Sequence, residues 1–191
     1  MHPLLEALLV GQLPQWAVVG VERRAHMDRV AALLNDWAMG LDLPELECRR
    51  WRAVGLVHDV LRDSEPSELR ENLPQIFAEL PRGILHGPAA AERLRTDGVE
   101  DGELMTAVAF HSVGDTRFGR LGRALYAADF LEPGRAFLPE WREELRERMP
   151  DDFDAVVFDV AATRIRNLIE RGSEVLPQTL AFWNMMVREA L

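Results

Sequence analysis

The apolar residues of this chain recur at helical spacing, with no convincing strand-like alternation, and this restricts it to an all-α fold. Over residues 21–39, Val21, Val30, Leu33, Leu34 and Trp37 fall at roughly helical spacing, and Gly40 provides a stop. Pro44 opens the next helix at its first turn, and Trp51, Val54, Leu56 and Val57 carry it to His58 and Asp59. Pro66, Pro74 and Pro81 then break the chain into short pieces. Further helices are expected after Gly87-Pro88, from about Asp101 to His111 and from about Gly119 to Leu131. Glu132-Pro133-Gly134 ends the last of these abruptly, and residues 139–148, 152–171 and 177–190 complete the set. At 191 residues the chain is long enough to bury a core, so the expectation is a compact helical bundle with irregular packing.

Composition narrows the partners. The net charge of -10 argues against a broad nucleic-acid surface, which needs a clustered basic face. All 22 basic residues are arginine, so any cation that meets a phosphate is arginine, histidine or a metal. No apolar run approaches the roughly 18 residues a membrane helix needs, and no basic stretch precedes an apolar core at the N-terminus. Cys48 is the single cysteine, which excludes an intramolecular disulfide and a cysteine-rich zinc site. A cytoplasmic protein, acting on a small molecule and binding neither nucleic acid nor membrane, is the expectation.

The chemistry concentrates in histidine and aspartate. Of five histidines, His2 lies in the terminus, while His26, His58, His86 and His111 sit at or near the ends of expected helices. Asp59 follows His58 directly, and Asp129 lies in the apolar stretch Tyr126-Ala127-Ala128-Asp129-Phe130. A single histidine is more often a surface or core residue than a ligand. Asp129 is harder to dismiss, because a buried carboxylate is costly unless paired or metal-bound. Imidazole and carboxylate together suit divalent iron, manganese, zinc and related ions. The separations in sequence are too long for spacing alone to establish that these residues converge.

The ordered segments Arg23-Arg24-Ala25-His26, His58-Asp59-Val60-Leu61-Arg62-Asp63, His86-Gly87-Pro88, His111-Ser112-Val113-Gly114 and Asp129-Phe130-Leu131-Glu132-Pro133-Gly134-Arg135 carry a resemblance. They are similar to the HD superfamily of metal phosphohydrolases, and within it to the YqeK-type family of symmetrical diadenosine tetraphosphate hydrolases. Pro177-Gln178-Thr179-Leu180 and Asn184 resemble that family's C-terminal helix, so the likeness runs from about residue 20 to the end. Two departures stand out: Arg62 where the family usually has lysine, and Val113 in the small polar stretch after Ser112. Arginine keeps the charge at that position but not the geometry.

The resemblance implies an HD-domain helical bundle over residues 21–136, preceded by an extension or helix over 1–20 and completed by C-terminal helices over 137–191. It implies a metal set of His26, His58, Asp59, His86, His111 and Asp129, with Asp59 bridging two metals, expected as iron, with manganese or another transition metal as alternatives. A hydroxide bridging the metals would attack an inner phosphorus of diadenosine tetraphosphate and release two ADP. Asp59, Arg62 and Asp63 are the candidate catalytic residues, Asp63 by orienting water or relaying a proton. Arg62, His111, Ser112, Gly114, Arg117 and Arg135 are the candidate substrate-binding residues, because guanidinium forks and turn amides match phosphate oxygens. Arg120 and Arg123 rank below them as solvated surface charges. An HD-type nucleotidase or phosphodiesterase on another nucleotide, and a nucleotide sensor without catalysis, stay open, as does a homodimer.

Overall fold

In the computed structural model, residues 1–71, 73–77 and 79–190 are described, and they contain helices and no strand. In chain order these are α1 (Pro3–Leu9), α2 (Val21–Gly40), α3 (Glu45–Val57), α4 (Pro66–Glu71), α5 (His86–Thr96), α6 (Gly102–Phe110), α7 (Arg120–Leu131), α8 (Pro139–Arg148), α9 (Phe153–Glu170) and α10 (Pro177–Glu189). Short 3-10 turns at Gln75–Phe77 and Arg82–Ile84 occupy the proline-broken stretch between α4 and α5.

Two close helix approaches set the frame of the site. A Cβ on Gly55 would lie 2.6 Å from the Ala31 Cα, so glycine there lets α3 press against the backbone of α2. A Cβ on Gly87 would lie 2.7 Å from the Val108 carbonyl oxygen and 2.8 Å from that of Ala109, so the start of α5 lies directly on the end of α6. His58 follows α3 and His86 opens α5, so both approaches bear on where those imidazoles stand.

The helix expected after Gly87-Pro88 begins earlier, at His86. Pro88 is accommodated in the first turn, where its missing N–H would have had no partner in any case. At the start of α6 the Asp101 carboxylate accepts from the Leu104 amide at 3.0 Å and caps the helix. The same carboxylate takes a two-pronged pair from Arg50 of α3, at 2.6 and 2.8 Å, which ties α3 to α6.

The core runs along the contacts of α2, α3, α6, α7 and α9, with Trp51, Leu34, Leu104, Leu125 and Val157 among its buried residues. Leu5 and Leu8 of α1 are buried in that core, while Val10 is exposed. Trp37 and Trp51 are core residues, and Trp16, Trp141 and Trp183 pack half-buried against it. Cys48 is buried and donates to the Leu43 carbonyl at 3.3 Å, as a small packing residue does. No described helix is long and apolar enough to cross a membrane.

Candidate metal centre

The six expected ligands arrive at the ends or on the inner faces of five helices. His26 lies on α2, His58 and Asp59 follow α3, His86 opens α5, His111 follows α6, and Asp129 lies on α7. All six are buried, and the fold brings them together. The Nε2 atoms of His26 and His58 are 3.3 Å apart, and those of His86 and His111 are 3.1 Å apart. The Asp59 carboxylate lies between the two pairs. Its Oδ1 is 3.0 Å from His86 Nε2 and 3.3 Å from His111 Nε2. Its Oδ2 is 3.6 Å from His26 Nε2 and 3.8 Å from His58 Nε2. Asp129 closes the His26 side, with Oδ1 at 3.3 Å from His26 Nε2.

The outer edges of the rings fix which nitrogen faces inward. His58 Nδ1 donates to the Gly55 carbonyl and His111 Nδ1 to the Val108 carbonyl, both at 2.8 Å. In the neutral form of each ring, Nε2 therefore turns a lone pair into the centre. Burial holds His58 down to about 4, so it is neutral near pH 7. Burial likewise lowers His86. Burial also opposes charge on His26, but Asp129 and Glu132 outweigh it and raise that ring to about 9.

The carboxylates are ionised. Burial would raise Asp59, but His58, His111 and His86 around it hold it well below the ordinary range. Burial would raise Asp129 too, and the bond from His26 with the charges of Arg164 and Arg135 keeps it well below. Imidazole Nε2 atoms facing one another at 3.1 and 3.3 Å, with two ionised carboxylates among them, form a donor set that fits a divalent metal. His26, His58 and Asp129 converge as one group, and His58, Asp59 and His111 as another.

Several residues around this centre were not assigned a role from the sequence. Arg23 donates to Asp59 Oδ2 at 2.5 Å and lies 3.5 Å from Asp63 Oδ1. Arg29 donates to Glu132 Oε2 at 2.5 Å, and Glu132 Oε1 lies 3.3 Å from His26 Nδ1. Burial would raise Glu132, but His26, Arg29 and the Gly134 amide hold it at about 2. Arg23 and Arg29 sit three residues either side of His26 on one helix face, a signal that the sequence does carry. Arg164 of α9 donates to Asp129 Oδ2 at 2.8 Å, and no spacing in the sequence points to it.

The expected phosphate contacts divide. Ser112 and Arg135 line a cavity of about 820 Å³ beside the centre, together with Arg23, Phe130, Arg142 and Arg164. The Ser112 hydroxyl is 3.1 Å from His111 Nε2. Arg135 meets Asp129 Oδ1 at 2.7 Å and lies 3.8 Å from Glu132 Oε1. Asp63 lines the same cavity and accepts from the Gly20 amide at 2.9 Å. Arg62 is exposed, and its charge reaches the centre by lowering His86. Arg117 turns to Asp115 at 2.8 Å and stacks over Phe110, with its side chain 63 % exposed. Gly114 adopts φ +82° and lies under the Phe182 ring instead of on the cavity wall. Arg123 pairs with Glu189, and Arg120 stacks on Phe153.

Comparison with known proteins agrees with this geometry. The HD domain model matches residues 23–160. The chain is 28 % identical over 142 residues to the symmetrical bis(5'-nucleosyl)-tetraphosphatase of Halalkalibacterium halodurans, covering 71 % of this chain and 75 % of the relative. It is 24 % identical over 159 residues to the protein of the same name from Bacillus subtilis, covering 83 % of this chain and 75 % of the relative. Its fold is similar to the crystal structure of a predicted HD superfamily hydrolase from Clostridium acetobutylicum, with a TM-score of 0.77 at 22 % identity over 97 % of this chain and 96 % of the other. The family match spans most of the chain, and all six buried candidate ligands fall inside it: the chain belongs to the HD domain family.

Proposed function

We propose that this HD-domain hydrolase cleaves diadenosine tetraphosphate symmetrically, adding one water to give two ADP. The observation that carries the reading is the Asp59 carboxylate, whose two oxygens face different histidine pairs at the edge of an arginine-bearing cavity. His26, His58, Asp59 and Asp129 would hold one metal and His86 and His111 the other, with Asp59 shared. Iron is the proposed metal, with manganese or another transition metal able to serve. When bound, such metals supply a water of lowered pKa and neutralise charge on the phosphoryl oxygens.

The protein's own groups do the rest. Arg23 and Arg164 donate to Asp59 and Asp129, which orients both carboxylates. Asp63, at the cavity wall, orients water, while Arg135 and the Ser112 hydroxyl meet phosphate oxygens. Arg62 contributes positive charge from the rim, its guanidinium standing where the similar family has lysine. The departing group is a terminal phosphate with a pKa near ~6, which leaves as an anion without strong acid assistance.

Metal-reconstituted protein incubated with diadenosine tetraphosphate, with a chelator control, tests the reading. Chelator-sensitive formation of ADP alone is expected. AMP with ATP overturns the cleavage position, and no turnover with any metal tried overturns the substrate.

A further inference from the structure

Arg142 of α8 has no evident reason to be where it is. It is 2 % exposed, and no carboxylate among the described residues pairs with it. Its Nε and Nη1 have no hydrogen-bond partner. Its guanidinium carbon lies 4.6 Å from the Phe130 ring centre and 5.7 Å from that of Phe137. These rings hold the group in place but accept little of its charge. Burial first, and then the neighbouring cations Arg135 and Arg164, bring it down only to about 10, so it stays charged near pH 7.

Arg164 repeats the pattern in part. Its terminal nitrogens serve Asp129 and the Ser112 and Tyr126 carbonyls, yet its buried Nε has no partner. Both arginines line the cavity that also reaches His26 and Ser112. Of the carboxylates on that cavity, Glu132 is committed to His26 and Arg29 and Asp63 to Arg23 and the Gly20 amide, while Glu22 is exposed and pairs with neither arginine. A buried charge with free donors is costly unless an acceptor completes it. Here the acceptor has to come from outside the chain, and it has to be anionic.

We infer that Arg142 and Arg164, the latter also bonded to Asp129, form an anion-binding wall beside the metal ligands that takes the diphosphate of a nucleoside diphosphate. Resting on the hydrolase reading above, that group is the departing ADP, whose leaving oxygen gains charge as the bond breaks. Fixed guanidinium donors stabilise such developing charge and require no rearrangement to do so.

The test uses metal-loaded protein and ADP. Arg142→Met keeps the side chain's bulk and removes its charge. It is expected to weaken ADP binding at least tenfold by calorimetry, since charged hydrogen bonds are lost. It is also expected to raise the thermal midpoint of the ligand-free protein, because an uncompensated buried charge is gone. Unchanged ADP affinity, or a lowered ligand-free midpoint, overturns the inference and makes Arg142 a packing residue. If Arg142→Met does not fold, Arg142→Lys carries the test: it is expected to bind ADP at least threefold more weakly, and wild-type affinity overturns the wall. The two readings fail separately. ADP binding that depends on Arg142 without tetraphosphate cleavage supports the wall and ends the proposed substrate. Cleavage to ADP with wild-type KM and ADP affinity in both variants ends the wall and leaves the hydrolase standing.

Discussion

Asp59 holds the centre together because each of its oxygens answers to a different histidine pair. Removing it takes away a ligand and the charge that offsets metal binding in a buried space. Asp59→Ala and His58→Ala are therefore each expected to lose bound metal, read by elemental analysis, and to lower turnover by at least ~100-fold. Full metal content with full activity in either variant would refute the ligand assignment. Arg135 stands at the same carboxylate network but is 40 % exposed at its side chain, and Arg164 still holds Asp129 when Arg135 is gone. Arg135→Ala is expected to raise KM roughly tenfold with metal content unchanged, in line with the loss of a charged hydrogen bond to phosphate. Metal loss in that variant would instead make Arg135 a support of Asp129.

Helix ends deliver the chemistry, so what anchors those ends governs the site. The junction of α3 and α6 rests on Asp101, which caps α6 and pairs with Arg50. Asp101→Ala is expected to cost about 1–3 kcal/mol in denaturant unfolding, through loss of a cap and of a charge-assisted pair. Its pH dependence has a definite sign. Burial raises the Asp101 carboxyl, but Arg50 and the Leu104 amide outweigh burial and hold it below its ordinary value. Its stabilisation is thus complete above the unfolded-state pKa, near ~4, and is lost as pH falls through the lower folded value. Wild type is expected to lose stability over that acid range, and Asp101→Ala to lose less of it. Identical acid profiles would show that the pair contributes nothing.

Across the whole molecule, the metal centre draws on α2, α5, α7 and the ends of α3 and α6, so whatever binds there ties most of the bundle together. Metal binds the folded arrangement far better than the unfolded chain, which scatters the ligands. Chelation is expected to lower the thermal midpoint, and restoring metal to a hundredfold excess over its dissociation constant to return about 2.7 kcal/mol. A midpoint indifferent to chelator would mean that the centre is not a metal site.

Helical period, proline breaks and the ordered His and Asp segments are local properties, and they were legible in the sequence. They led to α2, α3, α6, α7, α8, α9 and α10 within a few residues of their ends, and to the residues that converge. The start of α5 falls three residues earlier than expected because Pro88 looks like a boundary, although the first helical turn tolerates it. Orientation and partnership were not legible. Gly114 and Arg117 follow His111 closely in sequence, yet one lies under Phe182 and the other turns to Asp115. Arg164 and Arg142 reach the cavity from α9 and α8, the former 35 residues beyond the aspartate it holds. The sequence by itself determined which side chains can bind a cation and roughly which helices carry them. Only the tertiary structure decided which nitrogen faces inward, which arginine meets which carboxylate and which is left without one, because hydrogen bonds and buried charges are settled between helices that are distant along the chain.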